Sequence, residues 1–341
     1  MKRSASLIEL LTRFFDYLVF TRGYTGATLR TYKAAWAAIY KYAQAQRGIL
    51  PTTLEVDDLT QEFVHDFLNY LEQTRGNSTS SRNNRLAAIQ SFFRFLAETD
   101  AITHAQQAGY VLAIRSKRAD QPQIDYLTRE EATAFLAAPN PETWCGSRDR
   151  ALFTFMIQTG VRSEEARRIS VNDITFGSTP QVHIRWGKGR KQRVLPLKAE
   201  TVVELQRWLQ VRDEGSDGPF FLSTRRGSLS EDALGLIVHS TMAKLVDTHP
   251  ALAAKNITPH KLRHTAAMIM YEDGVSIETL SLWLGHANVA TTMRYLQHSL
   301  KIKLRAMART SFPAPPRLPS DEVKDRFVLT DADRALLKAL R

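Results

Sequence analysis

The chain has 341 residues, a formal net charge of +11 from 46 Lys+Arg against 35 Asp+Glu, and 43% hydrophobic residues. That length exceeds what one hydrophobic core usually serves, so two domains are expected; the charge favours a polyanionic partner such as double-stranded DNA, and no apolar run is long enough to cross a bilayer. The single cysteine, Cys145, excludes an internal disulfide and a cysteine metal cluster, which fits a cytoplasmic location, and Glu9, Arg13 and Asp16 interrupt the apolar stretch 7–19, so it does not read as a signal peptide.

Residues 1–100 read as four amphipathic helices. Ile8, Leu11, Phe15, Leu18 and Val19 mark one apolar face that Gly23 ends, and Leu29, Tyr32, Trp36, Ile39 and Tyr40 mark a second closed by Gly48. Phe63, Phe67, Leu68 and Leu71 form the third, after Thr60; Leu86, Ile89, Phe92, Phe93 and Leu96 form the fourth, after the turn residues 76–81. Basic residues including Arg30, Lys33, Arg82 and Arg85 sit between these faces. Singly they are ordinary solvated surface; as a set they can hold a DNA backbone.

From residue 101 to 126 the periodicity fades, and Arg115-Ser116-Lys117-Arg118 before Gln121-Pro122-Gln123 reads as an exposed basic linker. A second domain opens at Thr128 with a capping box, Glu131 standing three positions on. Helices dominate it, except where Val182-His183-Ile184-Arg185-Trp186 alternates, Gly187-Lys188-Gly189 turns, and Arg193-Val194-Leu195-Pro196-Leu197 returns as a β-hairpin. Pro313, Pro315, Pro316 and Pro319 then stop any helix, and residues 331–340 are again helical in pattern. That tail reads either as a docking arm for a neighbouring subunit or as a loose terminus.

Three places can carry chemistry. Gly160 ends an apolar helix, which puts Arg162 in a tight inter-helix turn suited to gripping a phosphate, with Glu165 able to reach back to it. Taken alone, Arg-x-x-Glu is more often a surface ion pair, and Lys188 in a basic turn mere surface charge; nor does Gly-Lys-Gly make a nucleotide loop. Thr258-Pro259 is a helix start, placing His260 and Arg263 on one face where the helix dipole favours an anion. His260 and His264 share the spacing of a zinc pair, but Lys261 stands where that motif needs Glu, so no metal site is expected and His264 reads as a packed histidine. Leu284-Gly285-His286 and Tyr295 complete the set.

Taken in order, these segments resemble the tyrosine recombinase (phage integrase) family. The shared words are Thr159-Gly160-Val161-Arg162, Gly187-Lys188-Gly189, His260-x-Leu262-Arg263-His264-Thr265 and Leu284-Gly285-His286 followed by Thr291-Thr292-x-x-Tyr295. The likeness covers about residues 128–304, and the helical N-terminal half matches by architecture. It implies a mainly α fold with a small antiparallel β-sheet. The expected divisions are a helical core-binding domain (1–100), a linker (101–126), a catalytic domain (127–308) and a proline-rich tether with a terminal helix (309–341).

The family's chemistry assigns the residues. A phosphodiester resists nucleophiles, so Arg162 and Arg263, with His286, would neutralise the non-bridging oxygens as the pentavalent state forms. A phenol of pKa ~10 is only about one part in a thousand ionised at neutral pH, a deficit of roughly 4 kcal/mol that His260 or the cationic site must offset for Tyr295. Lys188 would protonate the leaving 5′-oxygen, Glu165 would orient the arginines or the histidine, and Arg185, Arg190, Lys191 and Arg193 would contact the backbone. Tyr295 would form a 3′-phosphotyrosyl bond that another strand's 5′-hydroxyl reverses, with no cofactor, ATP or metal. A homotetramer on two DNA sites is implied, with a partner recombinase or accessory factor in some members, and the role would be integration, excision or resolution of DNA elements. Other readings are a type IB topoisomerase, which reseals the same strand, a non-catalytic DNA-binding protein, which would be expected to lose one of these residues, and a metal-dependent nuclease, which would need an acidic pair.

Overall fold

The computed structural model describes residues 5–24, 26–119, 124–185, 192–212, 218–286, 288–289 and 292–293. The chain divides into two compact units, Met1–Pro122 and Gln123–Arg341. Mostly helical with a three-stranded sheet, it has the fold class expected from sequence.

In the first unit α1 (Leu7–Asp16) starts at Ser6, whose hydroxyl accepts from the Glu9 amide while Glu9 returns to the Ser6 amide, and a π turn, Tyr17–Thr21, prolongs it. Helices α2 (Gly26–Arg47), α3 (Gln61–Gln73) and α4 (Thr79–Thr99) follow, the last two capped by Thr60 and Ser78. Phe14, Trp36, Phe63, Phe67, Phe92 and Phe93 meet in one core, with Phe92 edge-on to both Phe14 and Trp36.

Part of the expected linker is structured. Residues Ala101–Leu112 form α5, packed on α4 with His104, Ala108 and Val111 buried. Its signal is weak because the helix is Ala- and Gln-rich and buries only one narrow strip. Side-chain amides fasten it instead: Gln90 donates to the carbonyls of Leu112 at 3.2 Å and Ile114 at 2.8 Å, and Gln107 to that of Leu59 at 3.2 Å. Beyond it, Lys117 exchanges two hydrogen bonds with Asn83 and pairs with Glu72, so the basic stretch is tied down as far as Lys117.

The second unit begins with α6 (Arg129–Ala137), whose Thr128–Glu131 capping box forms as the spacing predicts. Helix α7 (Trp144–Thr159) runs through the core, and its second half is apolar: Leu152, Phe153, Phe155 and Met156 are each fully buried. A short α8 (Ser163–Arg168) leads into β1 (Ile174–Thr175), β2 (Gln181–Ile184) and β3 (Arg193–Pro196), an antiparallel sheet in sequence order with Val182 opposite Leu195 and Ile184 opposite Arg193. Two-residue β1 was not anticipated, being too short for alternation to register. Helices α9 (Ala199–Val211), α10 (Glu231–Leu245), α11 (Pro259–Glu272) and α12 (Ile277–Leu284) complete the unit. Both α9 and α11 pack on α7, which makes α7 the post around which the candidate site is arranged. Among the described residues no helix is long and apolar enough to cross a membrane. Lys188, Arg190, Lys191 and Tyr295, together with the proline-rich tail, lie outside the described residues.

Candidate active site

Two helix C-termini make the site. Helix α7 stops at Gly160 and α12 at Gly285, each in the left-handed conformation, with φ of 63° and 66°. A helix end carries carbonyls without intrahelical partners and the negative pole of its dipole. Here arginines satisfy them. Arg263 donates to the carbonyls of Gly160 at 2.8 Å and Leu284 at 2.6 Å, and Arg162 donates to that of Gly285 at 3.0 Å. The indole of Trp283 joins the same two ends through the Thr159 carbonyl at 2.9 Å.

Glycine is required at the α7 terminus for two reasons. Its φ is positive, and a Cβ there would lie 2.7 Å from the Leu284 side chain and 3.4 Å from that of Ala266. Gly160→Ala is therefore expected to destabilise the protein by about 2–4 kcal/mol from backbone strain and overpacking together, read as a lower urea midpoint at unchanged slope.

Arg162 and Arg263 differ in setting. The Arg162 side chain is 23% exposed and pairs with Glu165 at 2.8 Å, while Arg263 is 1% exposed. Glu165, buried, also accepts from the Arg162 amide at 2.8 Å, so the expected reach-back occurs through both backbone and side chain. A second cation joins it: Arg193 on β3 donates to both Glu165 oxygens, at 3.1 and 2.8 Å, and to the Trp283 carbonyl at 3.0 Å. Burial alone would raise the Glu165 pKa, but Arg193 and then Arg162 outweigh it and hold the carboxyl below its ordinary value.

The histidines surround this cluster. His286 follows the α12 terminus and shares a 2.8 Å hydrogen bond through Nδ1 with the Thr292 hydroxyl, Thr292 being fully buried. Burial, then the charges of Arg263, Arg162 and Arg193, push its pKa down to about 4. His260 occupies the first turn of α11, as expected, though the Thr258 side chain makes no capping bond there. It lines a cleft with Ser163, Glu231, Asp232 and Thr258. Although exposed overall, its pKa is lowered by partial desolvation and then by Arg263 and Arg162. Both imidazoles are thus neutral at pH 7: His260 is able to accept a proton, and His286, where Nδ1 accepts from Thr292, offers Nε2–H to an anion.

His264 is packed, as the sequence implies, and edge-on to Tyr126 with ring centroids 5.6 Å apart. It is 2% exposed, and burial lowers its pKa from 6.5 to about 4 against a hydrogen bond to the Ile124 backbone that favours the cation. Between these values the unfolded chain binds a proton that the native chain does not, so stability falls as pH drops through the window. The expected loss through this group is about 3 kcal/mol by pH 4, and His264→Gln should show a shallower dependence of unfolding free energy on pH.

Two assignments to the DNA backbone need correction. Arg82 is 3% exposed and turns inward, bonded to Asn83 at 3.0 Å and 3.9 Å from Glu72, because α4 presents this position to α3 rather than to solvent. Arg193, only 11% exposed, is committed to Glu165. Arg30 and Lys33 are on the surface, the latter with its ammonium 5.5 Å from the Phe15 ring centroid. Arg85 bonds the Thr31 carbonyl at 3.2 Å, and Arg185, 48% exposed, pairs with Asp173. The role of Arg193 was missed because its carboxylate partner lies 28 positions away, on another element.

Residues 125–301 match the phage integrase family and residues 11–99 match the phage integrase N-terminal SAM-like domain. The integrase/recombinase y4rC of Sinorhizobium fredii is 36% identical over 312 residues, covering 91% of this chain and 93% of that protein. Tyrosine recombinase XerC of Pelobacter propionicus is 30% identical over 297 residues, covering 86% and 92%. In fold the chain is similar to the XerH site-specific recombinase bound to difH substrate in a pre-cleavage complex, with a TM-score of 0.61 and 23% identity over 82% of this chain and 78% of that one. The chain belongs to the phage integrase family, the tyrosine recombinases. Its activity is the cleavage and rejoining of DNA in site-specific recombination.

Proposed function

We propose that Tyr295 is the nucleophile of this recombinase and that Arg162, Arg263 and His286 hold the scissile phosphate. Tyr295 attacks phosphorus, a 3′-phosphotyrosyl bond forms, and the 5′-oxygen leaves with a proton from Lys188. His260 takes the phenolic proton, and Glu165 orients the arginines. A 5′-hydroxyl of another strand then reverses the step and releases the tyrosine.

The observation that carries this reading is the meeting of Arg162 and Arg263 on the adjacent carbonyls of Gly285 and Leu284, next to His286. A rigid cationic pair fixed by backbone acceptors is what charge build-up on non-bridging oxygens requires, since its orientation is set before the phosphate arrives. A homotetramer spanning two duplexes fits an exchange that needs four strand cleavages, and the proline-rich tail is the candidate docking arm between subunits. A partner recombinase or accessory factor belongs to the same proposal, as do the cytoplasmic location and a helical unit that grips DNA through Arg30 and Lys33.

The test is to incubate the protein with duplexes from the DNA flanking its own gene, nicked to trap intermediates, and look for SDS-resistant adducts and exchange between two duplexes. Adduct with exchange supports the proposal. Relaxation of a supercoiled plasmid without exchange would move the reading to a topoisomerase, and tight binding without adduct on duplexes bearing the bound site would leave a DNA-binding protein.

A further inference from the structure

We propose that Arg193 is a positioning residue for the reaction, acting through Glu165 and the last turn of α12 to keep the cluster net positive and Arg162 aimed at the phosphate. This rests on the recombinase reading above.

Three consecutive carbonyls at the end of α12 each receive a different arginine: Trp283 from Arg193, Leu284 from Arg263, and Gly285 from Arg162. Arg193 completes that row. A Cβ on Gly285 would lie 3.2 Å from its Nη1 and 3.3 Å from its Cδ, so the missing side chain at position 285 is the room that the Arg193 guanidinium uses.

The second argument is electrostatic. Glu165 stands between the two guanidiniums, Oε1 accepting from Nη1 of both Arg162 and Arg193. With both cations present, one carboxylate leaves the trio with a net positive charge to meet a phosphate. Without Arg193, Glu165 and Arg162 form a neutral pair. The free carboxylate edge would draw Arg162 into a two-point bridge and off the Gly285 carbonyl. Arg193 also begins β3, the return strand of the hairpin whose turn carries Lys188 in sequence, so the same contact fixes the base of that hairpin.

The test uses the full chain with Arg193→Met, Arg193→Lys, Glu165→Gln and the Met/Gln double variant. On a nicked duplex that the wild type cleaves, Arg193→Met is expected to slow adduct formation about 100-fold with DNA affinity changed less than about threefold. The acid limb of its pH profile should move to higher pH, because Glu165 loses its strongest stabilising partner, and Arg193→Lys should recover part of the rate. The double variant should be no slower than Arg193→Met, since both changes break one link. Wild-type rates in Arg193→Met, or equal losses of rate and affinity with additive effects in the double variant, would overturn the proposal. If the wild type forms no adduct on any duplex, the recombinase reading fails separately. The Arg193–Glu165 link is then read from unfolding: Glu165→Gln should restore the denaturation midpoint lost in Arg193→Met, and failure to restore it rejects the link.

Discussion

Tyr295→Phe is expected to abolish the covalent DNA adduct while leaving DNA affinity within about twofold of wild type. The substitution removes one oxygen and keeps the ring, so groups that grip the backbone through charge are untouched. What is lost is the atom proposed to bond to phosphorus, and no change of pH or longer incubation should replace it. The measurement is an SDS-resistant adduct on nicked DNA beside a binding titration at the same salt concentration. An adduct that persists in the variant would move the nucleophile elsewhere, with Tyr271 on α11 the first candidate. An adduct lost together with affinity would make Tyr295 part of the binding surface.

The second large effect separates the two arginines of the site. Arg162→Ala removes a side chain that is 23% exposed and leaves the Gly285 carbonyl near the surface. It should cost about 10²–10³ in the rate of adduct formation with little change in the unfolding midpoint. Arg263→Ala should lose cleavage at least as severely and stability as well. Its guanidinium is 1% exposed and satisfies the ends of both α7 and α12, so truncation strands two buried carbonyls at about 1–3 kcal/mol each. Adduct kinetics and urea unfolding on the same preparations check both halves of the prediction. If both variants lose rate and affinity in equal proportion, these arginines only anchor the DNA backbone.

Much of the architecture was legible because its causes are local. The caps at Thr60 and Thr128, the helix stop at Gly160 and the hairpin of β2 and β3 are decided by residues within a few positions of one another. Helix α5 escaped notice because it is fastened by long-range amide bonds, from Gln90 on α4 and from its own Gln107 to Leu59, not by a broad apolar stripe of its own. Arg82 and Arg193 were misassigned for a related reason: a basic residue in a polar context does not reveal whether a carboxylate from another element has drawn it inside. The motif residues of the candidate site could be named from the family resemblance, and Glu165 could be paired with Arg162 because they are neighbours on a helix start. That the arginines would rest on main-chain oxygens of two helix ends could not, since a carbonyl carries no signature in the sequence.

The joints that hold the arginine cluster together also order events in time. Arg263 reaches back 103 residues to Gly160, Arg162 reaches forward 123 to Gly285, and Trp283 bridges 124 to Thr159. The joints that involve Trp283, Leu284 and Gly285 cannot close until the ribosome has made α12. A nascent chain already carrying its basic N-terminal unit thus has the arginine cluster still unassembled. Such long sequence separations also make closure of the cluster a slow step in folding.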